Sequence, residues 1–224
     1  MLRSILSGNM GFAEIIIYLL SGIAVIFITL PIHEFAHGFA AVKLGDDTPR
    51  WQGRLTLNPF AHIDYIGALC ILLFNFGWAK PVQVNHYNFR NPKRDMAITA
   101  FAGPLANIVL ALISYFAFYG LTFLSNSVEF LLYVAIFFLY VAQLNIHLAV
   151  FNLLPIPPLD GSRLLSAFLP NKYYYALMRY ERYIFWGVIA LLWLGILDGP
   201  LDLISTVIAR GLEFIASLPF RLFM

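Results

Sequence analysis

Long apolar runs alternate along this chain with short clusters of charge. Runs at 15–42, 97–124, 129–151 and 183–203 each reach the ~20 residues an α-helix needs to cross a bilayer. A fifth run, 64–79, is shorter. The last, 203–224, is apolar but interrupted by Arg210, Glu213, Pro219 and Arg221, which suits an interfacial amphipathic helix, the favoured reading, or a poor span. Charge gathers from Lys43 to Arg54, from Lys80 to Asp95 and from Arg163 to Arg182, whereas the turn from Ser125 to Ser127 has neither Lys nor Arg. Loops rich in Lys and Arg stay on the cytoplasmic side, so the three clusters are expected there and the turn on the opposite face. The pattern predicts an all-α polytopic membrane protein: a helical transmembrane bundle in which one domain covers residues 1–224.

Composition strengthens this picture. Of 224 residues, 61% are hydrophobic and 12% charged, about half the charge of a soluble domain. The lipid bilayer is therefore part of the solvent for this fold. A net charge of +2, spread over separate clusters, excludes a nucleic-acid partner as the expected reading. The single cysteine, Cys70, excludes an internal disulfide and a Cys-rich zinc site, so a metal would have to rest on His and carboxylate ligands.

Such ligands occur inside the first apolar run. Pro31-Ile32-His33-Glu34-Phe35-Ala36-His37 contains H-E-x-x-H, which on a helix stacks His33 above His37 so that both imidazoles reach one Zn²⁺. Glu34, beside the first His, suits a general base that takes a proton from water and returns it to a leaving amine. On a solvated helix this pattern arises by chance. At membrane depth a charged group costs about 2.5–3.5 kcal/mol on insertion scales, so three unpaired polar groups are not expected to persist. Two histidines leave a tetrahedral site incomplete, and Asp160 is the best third ligand. It follows Asn152-Leu153-Leu154-Pro155-Ile156-Pro157-Pro158-Leu159, where three prolines forbid a regular helix. By itself, Asp160 before Gly161 and Ser162 reads rather as a helix N-cap.

The two motifs together resemble the site-2 protease family of intramembrane zinc proteases, peptidase family M50. Three further stretches are similar to its compact members: Gly53 to Pro59 with His62-Ile63-Asp64, Gly77 to Val82, and Ala102-Gly103-Pro104-Leu105-Ala106-Asn107. The resemblance covers residues 15–165, leaving C-terminal helices over about 166–224, with no room for the PDZ or CBS modules of larger relatives. It implies one Zn²⁺ per chain held by His33, His37 and Asp160, with Glu34 as catalytic base. It also implies that Asn152 and Asn107 line the site as polar partners, where an amide suits donation to the oxyanion of a peptide carbonyl under attack. Asn107 reads equally as interhelical glue beside Gly103.

A shared metal constrains topology. Runs 97–124 and 129–151 return the chain to the cytoplasmic face, so a full crossing by 64–79 would put Asp160 on the wrong side. That segment is expected to be re-entrant. The alternation at Arg54, Leu55, Thr56, Leu57 and Asn58 predicts a short strand or β-hairpin whose edge pairs with an unwound substrate. His62, His86 and His147 lack partners at metal spacing, although His147 and Asn145 share the run that leads to Asn152. Tyr173 to Tyr175 and Tyr180 to Trp186 read as an interfacial aromatic belt.

The expected activity is hydrolysis of peptide bonds in or near the membrane segment of a single-span protein or its remnant. The expected setting is a multi-pass protein of a bacterial-type plasma membrane, with its site toward the cytoplasm. A zinc carrier that performs no hydrolysis, and a zinc hydrolase acting on lipid, use the same ligands.

Overall fold

A computed structural model describes residues 11–74, 77–125, 128–165, 167–170, 172–173, 177 and 179–221. Asn126 and Ser127 of the expected turn, and Tyr174 and Tyr175 of the expected aromatic belt, lie outside them. Four helices are long and apolar enough to cross a membrane: α1 (Phe12–Lys43), α4 (Pro92–Leu124), α5 (Glu129–Asn152) and α8 (Asp198–Arg221). Between them lie a single turn α2 (Thr48–Trp51), the ten-residue α3 (Tyr65–Phe74), the short α6 (Asp160–Leu165) and α7 (Glu181–Trp193). The all-α polytopic class is thus as expected.

α4 is the hub, packing against α1, α5, α6 and α8. Small side chains allow close approach: Ala111 on α4, Ala142 on α5 and Ala216 on α8 are fully buried in one cluster with Tyr115, Ile146 and Leu212. In a bilayer such packing, rather than expulsion from water, holds helices together. α5 is buried on two faces, because Leu144 and Leu148 join Val25, Ile26 and Leu30 of α1 and Ile71 of α3 in a second cluster.

α1 is locally unwound by one residue. Pro31 has no N–H to give to the carbonyl four residues back, and its ring crowds that carbonyl. A π-turn at Val25–Thr29, with the Leu30 N–H bonded to the Val25 carbonyl, absorbs the mismatch immediately before the His-Glu pair. Such single-turn bulges mark many functional sites.

Three expectations are corrected. The apolar run 183–203 is not one helix: α7 ends at Trp193 and Gly195 adopts φ +73°, a left-handed conformation that glycine accepts and a continuing helix does not. The segment 203–224 is not an isolated interfacial helix. Leu201, Ser205, Ile208, Leu212 and Ala216 recur at spacings of three and four, and this stripe packs α8 against α4 and α5 while Arg210 stays exposed. The strand expected at Gly53–Pro59 does not form, and no strand occurs among the described residues. A lone strand needs an edge to pair with, and here local bonds consume the backbone instead. Arg54 donates to the Ala61 carbonyl, the Thr56 hydroxyl accepts from the Asn58 N–H, and the His62 ring meets the Thr56 carbonyl at 2.9 Å.

α3 spans about 15 Å, half a hydrocarbon core. The Lys80 N–H bonds the His62 carbonyl at 2.7 Å, which ties the chain before α3 to the segment that begins at Gly77. A Cβ on Gly67 would fall 2.9 Å from the Trp78 backbone nitrogen and carbonyl carbon, so only glycine lets α3 lie against the returning segment.

Candidate metal centre

His33, Glu34 and His37 sit on the second half of α1 and are 5%, 7% and 7% exposed. Asp160 reaches them from the far side. After α5 ends, the proline-rich turn carries the chain to α6, whose first residue is Asp160. Gly161 makes this turn possible, since a Cβ there would run into the Leu153 and Leu154 carbonyls at the end of α5.

The three donor atoms meet closely. His33 Nε2 and His37 Nε2 are 3.0 Å apart, and Asp160 Oδ2 lies 3.3 Å from the first and 3.2 Å from the second. Three ligands of one tetrahedral zinc, at bond lengths near 2.0–2.1 Å, stand about 3.3 Å from each other. The protonation pattern points the same way. His37 Nδ1 lies 2.7 Å from the Thr99 carbonyl, which only accepts, and His33 Nδ1 lies 3.3 Å from Asn107 Oδ1. Both rings therefore donate through Nδ1 and turn Nε2 lone pairs toward each other and toward a carboxylate oxygen. Three acceptors in contact repel unless a cation sits among them, so the residues present fit a divalent metal. The second-sphere bonds that fix such tautomers are already made.

α4 supplies this support from one face. Thr99, Gly103 and Asn107 recur every four residues: Thr99 holds His37, Asn107 holds His33, and Gly103 fits between. A Cβ on Gly103 would stand 2.6 Å from His37 Cε1 and 2.7 Å from His33 Cε1. Asn107 is fully buried behind His33, its Nδ2 without a partner.

Glu34 faces a different neighbour. Its Oε2 accepts the Val82 N–H at 2.8 Å, from the non-helical segment Gly77–Val84. That segment in turn is anchored through Asp46, a fully buried carboxylate that accepts from the Thr48 and Asn85 N–H groups, the Thr48 hydroxyl and the Asn88 amide. His33, Glu34, His37 and Asp160 open on a cavity of about 590 Å³ walled by Gly77–Val84 on one side and α7 on another. Asn152 lines this cavity, although its amide donates to the Leu148 carbonyl of its own helix at 2.9 Å.

The other polar candidates stand elsewhere. His147 Nδ1 bonds the Gln143 carbonyl and its Nε2 meets Asp202 Oδ1 of α8 at 3.3 Å. Asn145 is buried and donates to the Val141 carbonyl. His62 is buried before α3, and His86 lies against Tyr87. Sequence reasoning missed the Thr99 carbonyl, the Val82 N–H and three cavity-lining arginines, Arg163, Arg179 and Arg182, which it treated as topology signals. The period-four series Thr99, Gly103, Asn107 was visible and points at the α1 face.

Comparison with known proteins gives a consistent family. The model of peptidase family M50 matches residues 129–195, a stretch that holds Asn152 and Asp160. The chain is 41% identical over 150 residues to a Bacillus subtilis protein described as "putative zinc metalloprotease YwhC", covering 65% of this chain and 67% of that one. It is 32% identical over 170 residues to "putative zinc metalloprotease Rip2" of Mycolicibacterium smegmatis, covering 73% of this chain and 63% of the relative. It is also 32% identical over 137 residues to "putative zinc metalloprotease MJ0611" of Methanocaldococcus jannaschii, covering 60% and 63%. The latter two matches each span less than two thirds of the relative. No solved structure matches the chain.

Proposed function

Since the chain belongs to peptidase family M50, we propose that it is a zinc metalloprotease that hydrolyses peptide bonds in or near the membrane segments of other proteins, with its site toward the cytoplasm. The observation that carries this reading is the meeting of His33, His37 and Asp160 donor atoms within 3.3 Å beside Glu34 in one cavity. His33, His37 and Asp160 would hold the metal. Zinc, when bound, supplies the Lewis acidity that makes water a nucleophile near neutral pH and polarises a carbonyl.

The remaining work falls to the protein. Glu34 takes a proton from the attacking water and delivers it to the departing amine, and its bond to Val82 keeps the carboxylate aimed from the cavity wall. Asn107 and the Thr99 carbonyl hold the imidazoles in the tautomer that leaves Nε2 free. Gly77–Val84 offers non-helical backbone along the cavity, where an unwound peptide would lie. A helical substrate hides its carbonyls, so local unwinding must precede cleavage. Asn152 is the candidate donor to the carbonyl oxygen, once its amide turns from Leu148.

Glu34→Gln tests the reading. Purified in detergent, it should keep one zinc per chain by elemental analysis and lose cleavage of single-span substrates by at least about 10²-fold. Undiminished cleavage would remove Glu34 from the mechanism.

A further inference from the structure

Arg179 and Arg182 stand on the lining of the same cavity as His33, His37 and Asp160. Both are exposed, and among the described residues neither forms an ion pair. Arg50 and Arg94, by contrast, pair with Asp47 at 2.9 Å and Asp95 at 3.0 Å. A topology signal requires positive charge on one face of the membrane. It does not require that charge to line a cavity. Both arginines line a cavity whose walls are mostly apolar, with Glu181 the carboxylate nearest to them in sequence.

α7 extends the pattern. Arg182, Phe185 and Ile189 are separated by three and four residues, so they lie along one side of the helix, and all three line the cavity with Val188. One stripe therefore runs from cationic to apolar. The complementary ligand is a chain that is apolar through its membrane segment and acidic where that segment ends.

Resting on the protease reading above, we propose that this enzyme selects substrates whose membrane segment is bordered, on the side where the cavity opens, by Asp or Glu, the carboxylates being held by Arg179 and Arg182. A guanidinium fork matches a carboxylate in a way a lysine cannot.

The test measures binding separately from cleavage. End-blocked fluorescent peptides with one apolar span, differing only in a flank of Asp, Asn or Lys, are titrated by anisotropy against Glu34→Gln in zwitterionic nanodiscs. The Asp flank should bind about tenfold more tightly than the Asn flank, the order of one charge-assisted contact. Adding Arg179→Gln and Arg182→Gln should erase that preference, and Arg179→Glu with Arg182→Glu should transfer it to the Lys flank, with zinc content unchanged in both. Equal affinity for all flanks, or an Asp preference that survives both double variants, overturns the proposal. So does native mass spectrometry showing that the arginines retain phosphatidylglycerol while the peptides bind alike. If wild type cuts none of the peptides yet the flank preference stands, the protease reading fails alone. Cutting of all three with equal affinity and equal kcat/KM sinks the flank proposal alone.

Discussion

Replacing Gly103 by Ala adds one methyl where α4 backs onto the two imidazoles. Its Cβ would stand 2.6 Å from His37 Cε1 and 2.7 Å from His33 Cε1, whereas carbon atoms settle at about 3.5–4.0 Å. Relief therefore demands a displacement near 1 Å, shared between the helix and the rings. Metal ligands tolerate about 0.2 Å, so zinc affinity should fall about 10–100-fold, the range seen when supporting groups are disturbed. Gly120→Ala on the same helix is the control, because its Cβ meets only the Phe220 ring at 3.5 and 3.6 Å. Both substitutions gain the same helix propensity, about 1 kcal/mol, so their difference isolates the clash. Competition with a chelator in detergent gives the affinity, and circular dichroism confirms the helices. If Gly103→Ala binds zinc as tightly as Gly120→Ala, the described contact between α4 and the histidines is wrong.

Two further outcomes follow from the packing and charge. Asp46 is pushed up by burial and pulled further down by the Thr48, Asn88 and Asn85 bonds, so its folded pKa lies below its ordinary value. Its ionised form thus stabilises the fold above about pH 4 and loses that contribution as pH falls through the lower folded value. Asp46→Asn should cost about 1–3 kcal/mol at pH 7 and progressively less below pH 4 by thermal unfolding, and an equal loss at both ends would count against the charged clamp. Ala216→Leu overfills the fully buried α4, α5 and α8 cluster and should cost about 1–3 kcal/mol, while Val207→Leu, 64% exposed, should be neutral. Equal stability of the two variants would return α8 to the membrane surface.

How much of this was readable in advance depended on range. His33, Glu34 and His37 lie within one helical turn, so five letters describe their geometry. Asp160 is 123 residues from His37, and only the match of both motifs to a known family linked them, since Asp-Gly after prolines also suits a plain helix start. Charge misled the reading of α8: Arg210 and Glu213 look prohibitive in a linear run, but the stripe from Leu201 to Ala216 leaves Arg210 exposed and gathers small residues against α4 and α5. Gly195 is a single residue whose positive φ splits one apolar run into two helices. Alternation at Arg54 to Asn58 signals a strand only if an edge stands opposite, and pairing partners are not written in a local pattern. Asn107 read equally as a polar partner of the site and as a bond between helices, and its oxygen meets His33 of α1 at 3.3 Å.

The bond between Val82 and Glu34 ties the wall of the cleft to the proposed proton carrier. On the proposed mechanism, a peptide that adds beside Gly77–Val84 presses on the segment that steers Glu34, so occupancy of the cleft and aim of the base would be mechanically one variable. A bystander helix that stays wound never engages that wall. In a membrane crowded with apolar helices, discrimination of this kind depends on whether a helix can be unwound before it depends on which residues it carries.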